Sequence, residues 1–292
     1  MLNPVVMKSD LLFSLRDTLR AEMFAELTTP TLRKADLGPG RRVSVDWEDG
    51  RHLRAMIGPA LRVNLEHHPR IFEIGPCFRP EKPDALHAPE FQMLDLYAAN
   101  EDFEFLLALA ERLVAPHIPY TPERVSVAAH VRDLFGIDLH HEPLGDLPAR
   151  MAAHQGLGTD VPFKTVLGQF VERELEAQSA DAAVFLTEYP VGGDEPCARL
   201  SPGMIAVLNR FELLIDGIEV VHGYEDEPDR AAFVERARAA DLYDDEQALA
   251  WKPIDAGLVP AGSVGLGIGI ERLCMAASGI KDITVFQQSA QF

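Results

Sequence analysis

The chain has 292 residues and 32.2 kDa, and 47% of its residues are hydrophobic and 25% charged, enough apolar content for a sizeable core and too much for whole-chain disorder. Its 27 Lys and Arg against 46 Asp and Glu give a net charge of −19, so a phosphate backbone is repelled unless basic residues are locally concentrated, and the sequence has no basic run. The distant cysteines Cys77, Cys197 and Cys274 form no CxxC pair, and no stretch reads as a secretory leader or a membrane span, so the expectation is a soluble, cytoplasmic chain without a disulfide framework or structural zinc.

In chain order, Ser9 is expected to cap a helix through residues 11–27, where Leu11, Leu15, Leu19, Met23 and Leu27 recur near helical spacing before Thr28-Thr29-Pro30 stops it. A charged, Gly-containing loop from Asp36 to Gly50 leads to a short helix over Ala60–His67. Two strand-like runs follow, Ile71–Arg79 and Phe91–Ala98, joined by a polar loop with three prolines, which predicts a long-looped antiparallel hairpin. Helical patterns occupy Glu101–Val114 and Thr165–Gln178, and residues 115–164 between them read as an inserted helical and loop region. Strands are expected at Ala183–Glu188, Asn209–Ile215 and Ile218–Gly223, the last two turning at Asp216-Gly217. Acidic helices fill 227–250, and a glycine-rich strand then runs into a final helix. The sum is an α+β architecture, an antiparallel sheet flanked by helices.

Alternation on the first hairpin puts Glu73, Gly75, Cys77 and Arg79 on one face and Phe72, Ile74 and Phe78 on the other, expected to point inward, while Phe91, Met93, Asp95 and Tyr97 share a face of the partner strand. A guanidinium, an aromatic ring, a carboxylate and a phenol on one surface suit an anionic, planar ligand; an exposed sheet face with an ion pair is the bland alternative. The Asp216-Gly217 turn pairs 214 with 219 and 212 with 221, leaving Glu212 and Glu219 as diagonal neighbours roughly 7–8 Å apart. Two carboxylates so close suit a Mg²⁺ ion, although two solvated glutamates would look the same. Simple alternation aims His222 away from that pair unless a bulge intervenes. Gly265, Gly267 and Gly269 leave one side of their strand without side chains, open to a flat ligand or another backbone, and Arg272 projects from the helix that follows. Cys77 reads as a small buried thiol, and His67-His68 and His140-His141 as surface or loop residues.

Three segments together resemble the ordered motifs of class II aminoacyl-tRNA synthetases, specifically the lysyl branch and its shorter paralogues that lysylate elongation factor P. The run FAELTTPTL resembles motif 1, FEIGPCFRPEKPDALHAPEFQMLDLY motif 2 and GLGIGIERL motif 3, while RFELLIDGIEVVHGYED resembles the lysyl-type segment that precedes motif 3. The resemblance implies a single catalytic domain over residues 1–292, a homodimer through Pro30, and adenylate formation from ATP, Mg²⁺ and an amino acid. On matching residues it implies that Arg79 binds the α-phosphate and substrate carboxylate, Phe91 stacks on adenine, Arg272 holds the γ-phosphate end, Glu81 and His87 position the nucleotide with Gly267 and Gly269 beneath it, and Glu212 and Glu219 hold Mg²⁺.

Departures fall in the amino-acid pocket: Ala60 replaces a glutamate, Asp95 a glutamate, His222 an asparagine and Asp226 a glutamate, while Tyr97 is kept, and Leu86 replaces an arginine before His87. The resemblance leaves no room for an anticodon-binding domain, and with −19 net charge it implies a lysine-like or modified amino acid passed to a non-tRNA acceptor such as a protein, carrier or small molecule. The competing reading is a non-catalytic paralogue that binds nucleotide or amino acid as a regulatory subunit.

Overall fold

The computed structural model describes residues 3–34, 43–45, 50–193, 195, 197–240, 243 and 245–287. Most of the Asp36–Gly50 loop therefore lies outside the described residues. The backbone forms two units, Met1–Pro119 with Asp244–Phe292, and Tyr120–Tyr243.

In the first unit the helix Pro4–Ala21 starts earlier than expected. Asn3, not Ser9, is its N-cap, its side chain accepting from Val5 N–H at 3.0 Å with Pro4 in the first turn, where a missing N–H costs nothing. The helix ends before Met23, whose φ of 65° breaks the repeat, so only Leu11, Leu15 and Leu19 form the buried stripe. The strand Arg70–Phe78 pairs antiparallel with Glu90–Ala99, and Glu90–Ala99 antiparallel with Ser263–Gly269. Ala25–Glu26 joins parallel to Arg70–Phe78. The expected hairpin is therefore present, its first strand shifted one residue toward the N-terminus and its second longer by one residue at each end.

The helices Phe103–Val114 and Ile270–Ser278 each bury one apolar side, Leu106, Leu109, Ala110 and Leu113 in the first and Leu273, Cys274 and Met275 in the second. Asp102 caps the first by accepting from Phe105 N–H at 2.8 Å. Lys8 joins Pro4–Ala21 to Ile270–Ser278 through a buried 2.7 Å pair with Glu271, and its ammonium also donates to the Phe286 carbonyl at 2.9 Å.

In the second unit, Ala183–Pro190, Val207–Ile215 and Ile218–Glu225 run antiparallel in that order, with Glu123–Ser126 parallel to the first. Residues 115–164 hold that short strand and the helices Val127–Phe135 and Leu147–His154. With Phe163–Glu174, these helices enclose a core of Val131, Phe170, Leu186 and Leu214. Asp216 and Gly217 have φ of 50° and 76°, the left-handed pair a two-residue turn requires. The architecture is α+β, with mostly antiparallel sheet flanked by helices, and among the described residues no helix is long and apolar enough to cross a membrane.

Candidate functional site

On the first hairpin the register sets Glu73 opposite Asp95, Gly75 opposite Met93, and Cys77 opposite Phe91, so the expected residues do share one face. That face is not the solvated one. Glu73 and Cys77 are buried beneath residues 52–58, and on the opposite face Phe72 is buried as expected while Ile74 and Phe78 stay partly exposed. Arg54 on that segment is fully buried and pairs with Glu73 at 2.6 Å. Glu73 also accepts from the Thr29 amide and hydroxyl, each at 2.8 Å.

Arg79 stands at the end of the strand with its guanidinium carbon 5.1 Å from the centre of the Phe91 ring. Its amide donates to the Pro89 carbonyl at 2.9 Å, and its Nε reaches the Ala55 carbonyl at 3.4 Å. Asp95 is buried and accepts from Ile57 N–H at 3.1 Å, at the start of the helix Gly58–Arg62 that carries Ala60. Burial pushes the Asp95 carboxyl up to about 6, although the Ile57 and Gly58 amides and the nearby Arg79 and Arg54 charges oppose the rise. Burial likewise pushes the Cys77 thiol up to about 12, matching an inert thiol.

The glycines of Ser263–Gly269 let neighbours close in. A Cβ at Gly265 would meet the Tyr97 ring at 2.6 Å, and one at Gly267 would meet Asp95 Oδ1 and Met93 Cε at 2.7 Å. The space over these two positions is thus taken by the chain's own side chains, while Gly269 faces the Arg272 stem, its Cβ position 3.5 Å from Arg272 Cβ. Glu81 and His87 lie on the connecting loop, where His87 Nδ1 sits 3.0 Å from Asp84. Asp84 also accepts from the Leu86 and His87 amides, and these bonds together hold its carboxyl below the usual range.

In the second unit the hairpin departs from simple alternation. Ile215 faces Ile218 and Leu214 faces Glu219 as expected, but a bulge at Val220 makes Glu212 face His222 rather than Val221. His222 therefore joins the face of Glu212 and Glu219, correcting the alternation reading. Tyr189 donates to Glu212 at 2.6 Å, Arg210 pairs with the other carboxylate oxygen, and the Arg210 guanidinium lies 4.1 Å from the Tyr189 ring centre.

Burial raises the Glu212 carboxyl, Arg210 pulls it down, and Glu219 adds to the rise, leaving it above its ordinary value. His222 Nε2 is 2.8 Å from Glu195; burial acts to lower the imidazole, and the Glu195 carboxylate outweighs it and raises the ring. Asp226 is buried at the end of this hairpin. Cys197 donates to Glu195 at 2.6 Å, and burial holds its thiol well above the ordinary value.

Sequence reasoning missed Arg54, Tyr189, Arg210 and Glu195. A buried arginine or glutamate looks like any surface charge until its partner strand is placed, so only the Val220 bulge had a named signal, the doubt over the direction of His222.

A guanidinium stacked on an aromatic ring, beside a buried carboxylate on an antiparallel hairpin, is an arrangement suited to an anionic, planar ligand. The family model described as tRNA synthetases class II (D, K and N) matches residues 1–288, and the chain belongs to that family. Among similar proteins, the lysine–tRNA ligase of Fervidobacterium nodosum is 28% identical over 321 residues, covering 96% of this chain and 61% of that protein. The lysine–tRNA ligase 2 of Methanosarcina mazei is 28% identical, covering 97% and 62%, and the lysine–tRNA ligase of Kineococcus radiotolerans 30% identical, covering 94% and 61%. The chain thus spans less than two thirds of the length of these relatives.

Proposed function

We propose that this chain is an ATP-dependent aminoacyl ligase that forms an aminoacyl-adenylate from a lysine-like or modified amino acid and passes it to a non-tRNA protein, carrier or small molecule. The Arg79–Phe91–Asp95 face carries this reading. Arg79 binds the α-phosphate and the attacking carboxylate, Phe91 stacks on adenine, Arg272 holds the γ-phosphate end, and Glu81 and His87 steady the nucleotide. The substrate's amino group goes to the Asp95 and Tyr97 side, near Ala60.

The carboxylate oxygen attacks the α-phosphorus and pyrophosphate leaves, so the work of the side chains is placement and charge neutralisation rather than proton transfer. Glu212 and Glu219 suit Mg²⁺, since two carboxylates share a face and the buried one is raised partly by the other. The metal when bound supplies charge neutralisation of the phosphates. A net charge of −19 supports an acceptor other than tRNA. Exposed Val5, Val6 and Phe13 on the helix Pro4–Ala21 support a homodimer.

Labelled pyrophosphate should exchange into ATP only when a suitable amino acid is present. A flat response across lysine, β-amino acids and related acids overturns the reading, and efficient charging of tRNA overturns the acceptor. One observation favours the regulatory reading: both Glu212 oxygens are already held, by Tyr189 and Arg210. ATP binding without exchange, unaffected biologically by Arg79→Ala, would decide for it.

A further inference from the structure

We propose that Arg54 is a positioning residue that fixes Arg79 over Phe91, and that Gly75 is required because its missing side chain is the space the Arg54 guanidinium occupies. The inference rests on the reading of Arg79 as the phosphate-binding arginine. Arg54 is 1% exposed, and its Nε donates to the Pro76 carbonyl at 2.8 Å. Its Nη1 donates to Glu73 at 2.6 Å, to the Thr29 hydroxyl at 3.1 Å and to the Thr29 carbonyl at 3.2 Å.

Its backbone works in the same direction. The Arg54 carbonyl accepts from Phe78 N–H at 2.9 Å, its own amide donates to Thr31 at 3.0 Å, and the next carbonyl, Ala55, receives Arg79 Nε. One residue thereby fastens strand positions 73, 76 and 78, immediately before Arg79, and the adjoining peptide receives the Arg79 side chain itself.

A guanidinium has a planar fork of donors, so bonds to Glu73 on one edge and Pro76 on another fix its plane. A lysine ammonium, a point charge, can satisfy Glu73 without setting that plane. The clearance at Gly75 is small: a Cβ there would stand 2.2 Å from Arg54 Nη2 and 3.2 Å from Glu73 Oε1. Gly75 has no positive φ, so backbone conformation does not demand glycine here; the buried guanidinium does.

The test uses the full chain with Arg54→Lys, Gly75→Ala and Glu73→Gln, and Arg70→Ala as the control. Arg70 lies at the opposite end of the same strand, bonded to Glu101 at 2.6 Å and away from the site. Crystal structures of Arg54→Lys and Gly75→Ala should show the Arg79 guanidinium off the Phe91 ring and Nε released from Ala55. In amino-acid-dependent pyrophosphate exchange, kcat should fall on the order of a hundredfold, as expected for ångström-scale misplacement, and the amino-acid KM should rise with it, since the displaced Arg79 also contacts the substrate carboxylate. Arg70→Ala should lower the melting temperature without that loss.

Arg79 left in place in both variants, or kcat falling equally in Arg70→Ala at matched stability, overturns the inference. If wild type exchanges no pyrophosphate, the functional reading fails while the crystallographic comparison still decides whether Arg54 places Arg79. If Arg54→Lys and Gly75→Ala do not fold, Glu73→Gln decides by the same two readouts, since it keeps the shape of the network and removes one charge.

Discussion

Asp95 shows how a single buried carboxyl couples function to stability. Its folded value of about 6 lies above the 3.8 of an unperturbed aspartate, so the fold favours the protonated form. The stability this group contributes is complete below about pH 4 and is lost as pH rises through 6. Asp95→Asn should therefore raise stability at pH 8 by roughly 1–3 kcal/mol relative to wild type and do little at pH 4, by denaturant titration at both pH values. If Asp95 receives the substrate ammonium as proposed, the same change should sharply lower amino-acid-dependent exchange, because a neutral amide forms no ion pair with it. The thiols behave as packing groups: Cys77 and Cys274 are each pushed to about 12, and Cys197 well above its usual value, all by burial. Iodoacetamide at pH 8 should leave all three unmodified in native protein and label them in denaturant, as mass spectrometry would show. Residue types and faces such as Arg79, Phe91, Asp95 and Tyr97 were legible from alternation alone, since period two is a property of any strand. Arg54 was not, because its burial depends on Glu73 and Thr29, which are distant in sequence.

Among the elements, the hairpin Val207–Ile215 with Ile218–Glu225 separates what patterning can supply from what it cannot. Asp216-Gly217 announces its turn and pins the first two pairs. The extra residue at Val220 leaves no mark in the sequence, since Glu219-Val220-Val221 suits a regular strand equally well, yet it decides that His222 joins Glu212. The early start of Pro4–Ala21 escaped for a related reason: Asn3-Pro4 is a proper cap, but it precedes the Leu11–Leu15–Leu19 repeat by about two turns. That helix gives the sharpest stability prediction. Removing the charge from one partner of the buried Lys8–Glu271 pair leaves the other unpaired, so Lys8→Met should cost about 3–5 kcal/mol in chemical denaturation. The double change Lys8→Met with Glu271→Gln should recover part of it. Additive losses would show that the two groups do not interact.

At the scale of the whole molecule, charge and association are the open physical quantities. Twice 32.2 kDa is the mass expected by light scattering if the exposed Val5, Val6 and Phe13 form an interface, and Phe13→Glu should shift the particle to a single chain without unfolding it. With −19 net charge, transfer to a basic acceptor should slow as salt rises, whereas a neutral small molecule should show no such dependence. The architecture class was readable because helix and strand periods alternate plainly along the chain, whereas the grouping into two units depends on pairings between distant segments. Unit Met1–Pro119 with Asp244–Phe292 is assembled from two pieces of chain, and the unit between them is continuous. On a translating ribosome the continuous unit is fully synthesised first. The strand Glu90–Ala99 must wait for Ser263–Gly269 to emerge before its second edge is covered, and that nascent interval is where chaperone capture would concentrate.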